Sequence, residues 1–375
     1  AEHQLVVVMV VELGPPPRRL RVPPDLKGLP RRKTHSIIEI FDLVHTSSFP
    51  HKKQSISHIR QCPPLPGYAI LSIAQRYFSH KTTFRKGYFK MDKKAKIGVQ
   101  MMMLKQEIQA HGMYTVLEKL SNMGFHAVEV SQIATPPAVI EEMTRAQRDL
   151  GMEIVAMSAM VRNSFKGRAD IPMDSLEEDF DKIVSDCHAL NCKVLRLGMI
   201  DLSLVHSPQE MLQTCDEMER YALKLKEHGI DLYFHAHTFE YHRYEGKPMM
   251  SHFVERTKAL GFELDTHWLH RGGMTPAYVS EFKDRILIFH LKDYRVGLLP
   301  QDFQIAPGKN LFADLEEFAE VGEGALDMPA YIQAGVENGS KYFMIEQDRC
   351  YGRTPYESLA ISRDNLVKMG YGDWF

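Results

Sequence analysis

The chain has 375 residues, of which 44% are hydrophobic and 25% charged, an ordinary globular balance that excludes a wholly disordered or collagen-like protein. No run of 18 or more apolar residues occurs, which excludes a membrane-spanning helix. The net charge of −2 averages two unlike parts: residues 1–90 hold 15 of the 46 Lys+Arg and 5 of the 48 Asp+Glu, leaving 31 basic against 43 acidic residues in 91–375, a net of −12 that makes nucleic acid an unsuitable partner.

Residues 1–90 read as a low-structure, Pro-rich basic extension. Pro15–Pro17, Pro23–Pro24 and Pro63–Pro64 break any helix, and Arg31–Arg32–Lys33 adds self-repulsion. The apolar run Leu5–Val11 is too short for most signal-peptide cores and has no basic residues before it. Met91–Asp92–Lys93–Lys94 stands directly before the first convincing strand. The expectation is that the native protein starts at Met91, with 1–90 an upstream translated extension; a genuine basic tail or targeting arm is the alternative. Five scattered cysteines (Cys62, Cys187, Cys192, Cys215, Cys350) without CxxC spacing suggest neither a disulfide framework nor a zinc knuckle, and point to a reducing, cytoplasmic setting.

From residue 96 short runs rich in Val, Ile and Leu alternate with longer amphipathic segments, the signature of βα units. Strands are predicted near Ile97–Gln100, Ala127–Val130, Glu153–Met157, Val194–Leu197, Leu232–His235, Phe262–Asp265, Ile286–His290 and Tyr342–Ile345. Helices are predicted over Tyr114–Met123, Pro137–Leu150, Leu176–Leu190, Pro208–His228 and Met249–Leu260. Gly124, Gly151, Gly229 and Gly261 sit where left-handed helix ends are wanted. Eight strands with eight connections over 91–375 predict an α/β fold, a (β/α)8 TIM barrel, with a doubly wound open sheet as the competitor.

The placement of polar residues favours the barrel. The fifth to eighth strands end in His235-Ala236-His237-Thr238-Phe239-Glu240, Asp265-Thr266-His267-Trp268, His290-Leu291-Lys292-Asp293 and Glu346-Gln347-Asp348. Residues two apart on a strand share a face, so His235 with His237, and His290 with Lys292, can point together. Each has a plain structural reading: Asp265 as a cap, Glu346 as a rim charge, a lone histidine as a hydrogen-bonded residue. Together, carboxylates and imidazoles converging in a closed barrel would repel one another, and one divalent metal ion resolves this. Mn2+ is the favoured ion, with Mg2+, Co2+ and Zn2+ as alternatives.

At these residues the chain resembles a known family. Ile97-Gly98-Val99-Gln100, the stretch His235–Glu240, Asp265-Thr266-His267-Trp268 with Gly272-Gly273, His290–Asp293, Val321–Asp327 and Ile345–Asp348 are similar to the sugar phosphate isomerase/epimerase family of xylose isomerase-like barrels. The resemblance implies one metal held by Glu240, Asp265, His290 and Glu346. Many relatives carry a glutamate directly on the fifth strand, where this chain has His235. Either Glu240 reaches back to the metal, or His235 replaces the carboxylate and Glu240 contacts substrate.

The implied activity is isomerisation or epimerisation of a ketose or keto-sugar through proton removal beside a metal-held carbonyl, with His237, Glu240 and Glu346 as the catalytic candidates. A lyase cleaving 3-keto-glycosides by β-elimination is the alternative, and some such relatives work with a small second subunit; a homo-oligomer is the other assembly considered. His235, His267, Trp268 and Lys292 are the candidate substrate contacts, Trp268 by stacking on a sugar ring or else as a packed aromatic. The long Tyr294–Glu320 connection is expected to act as a lid.

Overall fold

The computed structural model describes residues 95–168, 170–298 and 315–375. Eight parallel strands close into a barrel: β1 (Lys96–Gln100), β2 (Ala127–Val130), β3 (Glu153–Ala159), β4 (Val194–Leu197), β5 (Asp231–His235), β8 (Gly261–Asp265), β9 (Ile288–Leu291) and β12 (Tyr342–Ile345). Strand β1 pairs with both β2 and β12, which closes the ring and rules out the open doubly wound sheet. The remaining strands are small additions at the loops: β6 (Arg243–Tyr244) with β7 (Lys247–Pro248), and β10 (Asp293–Val296) with β11 (Glu316–Ala319), both antiparallel.

The barrel strands are short and apolar because side chains on both faces are covered, inside by the barrel core and outside by helices. Gly98 permits the close approach of β1 to β2, since a Cβ there would collide with the Ala127 carbonyl oxygen. The outer helices begin with recognisable devices. Ser207 accepts from the Glu210 amide ahead of Pro208–Lys226, and Thr354 forms a reciprocal cap with Glu357 ahead of Pro355–Leu366.

Several predicted boundaries move, each for a local reason. The helix expected from Leu176 begins at Phe180, because Ser175 and Asp179 lock the preceding turn: the Ser175 amide donates to Asp179 and the Glu178 amide to the Ser175 hydroxyl. The helix expected to reach Leu260 stops at Arg256. Beyond it, the Arg285 guanidinium donates to the carbonyls of Val254, Thr257 and Leu260, and Glu219 accepts from the amides of Lys258, Ala259 and Leu260. The helix from Pro208 ends at Lys226 rather than His228, and the seventh barrel strand runs Ile288–Leu291 rather than Ile286–His290.

Gly124, Gly151 and Gly229 adopt the positive φ expected of them, whereas Gly261 does not. It opens β8 where a Cβ would strike the Tyr233 ring, so close packing rather than backbone handedness requires glycine there. The extension reading of 1–90, and Cys62 with it, lies outside the described residues, as does the centre of the expected lid, 299–314. The two ends of that connection form the β10–β11 ribbon. No helix of the described residues is long and apolar enough to cross a membrane.

Candidate metal centre

Four consecutive barrel strands deliver one cluster. His235 ends β5, Asp265 ends β8, His290 lies on β9, and Glu346 follows β12. One ligand atom from each lies within 4.8 Å of the others, and all four residues are buried. His290 Nδ1 is 2.7 Å from Glu346 Oε2 and 4.0 Å from Asp265 Oδ2, and His235 Nε2 is 3.8 Å from that same Asp265 oxygen.

Asp265 divides its labour. Its Oδ1 caps the short helix Thr266–Arg271, accepting from the amides of His267 (2.7 Å) and Trp268 (3.0 Å). Among the described residues its Oδ2 has no hydrogen-bond partner, and neither do the two ring nitrogens of His235. Bare buried polar atoms are costly unless something satisfies them. Two imidazoles and two carboxylates form a mixed N/O donor set that suits Mn2+, Co2+ or Zn2+, so the residues present fit the expected cation.

The electrostatics agree. Burial pushes the Asp265 carboxyl up to about 7, with Glu346 adding to the effect, as happens to a carboxylate lacking its counter-charge. Burial also opposes charge on His290, but Glu263, Glu129 and Glu346 around it hold the ring well above its ordinary range. Its proton thus supplies positive charge where a bound cation would.

Glu240, the ligand implied by resemblance, is not among the four. It turns back onto its own loop, where Oε2 accepts from the His237 amide at 2.8 Å, and burial pushes its carboxyl up to about 8. The fifth-strand member of the cluster is His235. His237 stands beside it with ring centroids 4.7 Å apart, faces Trp268 at 5.3 Å, and has no partner for Nδ1. Burial, then Lys292 and Arg196, hold its pKa down at about 3, so the ring is neutral at pH 7.

Lys292 is buried in the same region, its ammonium 2.6 Å from Asp348, 3.6 Å from Glu346 and 4.9 Å from the Trp268 ring centre. His267 is buried against Trp268, Tyr294 and Phe318, the last two from the β10–β11 ribbon, which brings the ends of the long connection to the site. Among the described residues the indole N–H of Trp268 and both ring nitrogens of His267 have no hydrogen-bond partner.

Three charged residues of the barrel interior escaped sequence reasoning. Glu129 on β2, Arg196 on β4 and Glu263 on β8 are buried together beneath the cluster. Arg196 Nε donates to Glu263 at 2.6 Å and lies 3.1 Å from Glu129, while Gln100 donates to Glu346 at 3.2 Å. The signal was a charge flanked by apolar residues within a strand: Ala-Val-Glu-Val, Val-Leu-Arg-Leu and Phe-Glu-Leu. A charge there must be paired across the barrel.

Comparison with known proteins adds the lineage. The model of the xylose isomerase-like TIM barrel matches residues 117–364. No curated protein matches the sequence. Among solved structures, a sugar phosphate isomerase/epimerase from Parabacteroides distasonis superposes with a TM-score of 0.55 at 16% identity, covering 75% of this chain and 96% of that one. The IolI protein with a bound zinc atom gives a TM-score of 0.53 at 15% identity, covering 75% and 99%. A 3-keto-D-glucoside 4-epimerase from E. coli gives 0.50 at 14% identity, covering 74% and 99%. At such identities the likeness is one of fold.

Proposed function

The chain belongs to the xylose isomerase-like TIM barrel family, and on that premise we propose that it is a divalent-metal-dependent isomerase or epimerase acting on a ketose or keto-sugar. The observation that carries this reading is the convergence of His235, Asp265, His290 and Glu346 at the C-terminal strand ends, where barrels of this kind place their chemistry, with ligand atoms of His235 and Asp265 unpartnered among the described residues. His235, Asp265, His290 and Glu346 would hold the ion, with Mn2+ favoured. Bound there, the ion would supply Lewis acidity toward a sugar carbonyl, acidifying the C–H on the neighbouring hydroxyl-bearing carbon.

The chain's own residues do the rest. Burial works against a charged Glu346, yet Lys292 and His290 hold its carboxyl well below the usual range, so Glu346 is an ionised base. His237 is a neutral imidazole whose Nδ1 is unpartnered among the described residues, able to accept a hydrogen bond from a substrate hydroxyl. The Lys292 ammonium stabilises negative charge that develops on the substrate oxygen. Glu240 holds the His237 backbone in place. Trp268 and His267, each with unpartnered ring N–H or N atoms, orient the sugar hydroxyls. The names of two fold relatives, a sugar phosphate isomerase/epimerase and a 3-keto-D-glucoside 4-epimerase, support a small sugar substrate.

The test is incubation with Mn2+ in D2O against a panel of ketoses and 3-keto-glycosides, read by NMR. Deuterium entering recovered substrate or an isomerised product, without loss of any group, is the expected result. Aglycone release with no deuterium in any ketose would replace this reading with the lyase, and no change across the panel would overturn both.

A further inference from the structure

The buried charges beneath the cluster need an account of their own. His290 touches both layers. Its Nδ1 faces Glu346 and Asp265, while its Nε2 lies 3.0 Å from Glu129 Oε2 and 2.9 Å from Glu263 Oε1. One imidazole nitrogen thus faces the proposed ion, and the other faces two carboxylates that come from strands β2 and β8.

Two carboxylates sharing one N–H would repel each other in a buried setting. Arg196 removes that obstacle. Its guanidinium lies against both, 2.6 Å from Glu263 and 3.1 Å from Glu129, and is anchored by donation to the Ser131 hydroxyl at 3.1 Å. Glu129, Glu263 and His290 are themselves close enough to grip a cation. Arg196 already supplies the positive charge at those two carboxylates, so a second metal there is unfavourable and a scaffolding role remains.

We propose that Glu129 and Glu263 are positioning residues that accept the Nε2–H of His290, fixing its tautomer so that Nδ1 is the free ligand atom, with Arg196 as the counter-ion that allows two carboxylates to share that task. Partners of this kind orient a metal-bound histidine and raise its basicity. The inference rests on the proposed metal centre and extends it to residues that never touch the ion.

The test uses Co2+, whose visible absorption reports ligand geometry, added to the full chain. Glu129→Gln and Glu263→Gln should each weaken Co2+ binding by about ten- to a hundredfold and alter its visible spectrum. In a His290→Ala background, adding Glu263→Gln should cause no further loss, because the residue acts through that ring. The double variant Glu263→Gln with Arg196→Met leaves no unmatched guanidinium, and it should show the same weakening where a single variant folds poorly. Wild-type affinity and spectrum in the Gln variants would overturn the inference while leaving the metal centre standing, as would an equal loss in the His290→Ala background. A wild-type protein that binds no Co2+, Mn2+ or Zn2+ would overturn both.

Discussion

Asp265 Oδ2 faces His235 Nε2 across 3.8 Å, and among the described residues neither atom has a hydrogen-bond partner. That spacing is too long for a hydrogen bond and right for two atoms that share an ion, since donors about 2.1 Å from one centre stand roughly 3–4 Å apart. The expected consequence separates the two fifth-strand candidates. His235→Ala and Asp265→Asn should each lower bound Mn2+ at least tenfold, measured by elemental analysis after dialysis, while Glu240→Gln retains the ion. Circular dichroism should stay barrel-like throughout. Loss of metal from Glu240→Gln but not from His235→Ala would return the ligand role to Glu240.

Ion binding should also appear as stability. A ligand that binds only the folded state at about a hundred times its Kd contributes about 2.7 kcal/mol. Mn2+ should therefore raise the Tm of the wild type and leave that of Asp265→Asn unmoved. An equal rise in both would place the binding elsewhere.

Glu240 carries a pH signature. Its buried carboxyl is pushed up to about 8, so between the unfolded value near 4.5 and about 8 the folded chain holds a proton that the unfolded chain has released. This contribution is present in full below the unfolded value and is lost as pH rises through that window, on the order of 1 kcal/mol per pH unit. Glu240→Gln is neutral at every pH and escapes the loss. Denaturant melts at pH 5 and pH 8 should show the variant gaining on the wild type as pH rises; parallel curves would show that Glu240 ionises freely.

The buried His237 and His267 act at the other end. Burial, with Lys292 adding, holds both near 3, below the ordinary 6.5. Between about 6.5 and 3 the unfolded chain binds protons that the folded chain refuses, so stability falls as pH falls through that range. His267→Gln should flatten the decline between pH 6.5 and pH 5, read by the same melts. An unchanged slope would mean that the ring titrates normally.

Lys292 separates chemistry from metal binding. Its ammonium lies 3.6 Å from Glu346 and so repels a nearby cation while serving a developing substrate charge. Lys292→Met should lower kcat by about 10²–10³ and leave Mn2+ affinity equal or tighter. A weakened ion with kcat per bound ion unchanged would make Lys292 part of the scaffold.

The sequence by itself determined an α/β fold with a parallel sheet, because alternating apolar runs and amphipathic segments are local, periodic information. Polar strand ends favoured the barrel over an open sheet, and only the pairing of β1 with β12 closed the ring. It also determined that the last four barrel strands end in polar residues, with Asp265, His290 and Glu346 singled out. The placement of His235 inside the cluster and of Glu240 outside it belonged to the tertiary structure, because a hydrogen bond from the His237 amide draws Glu240 back onto its loop. So did the role of Asp293: its carboxylate accepts from the amides of Tyr294, Gly322, Gly324 and Leu326, tying the ribbon to a turn far along the chain. The Glu129–Arg196–Glu263 group was hidden for the same reason. Each charge looks out of place in its own strand, and only the closing of the barrel brings residues 67 positions apart, Arg196 and Glu263, within 2.6 Å of each other.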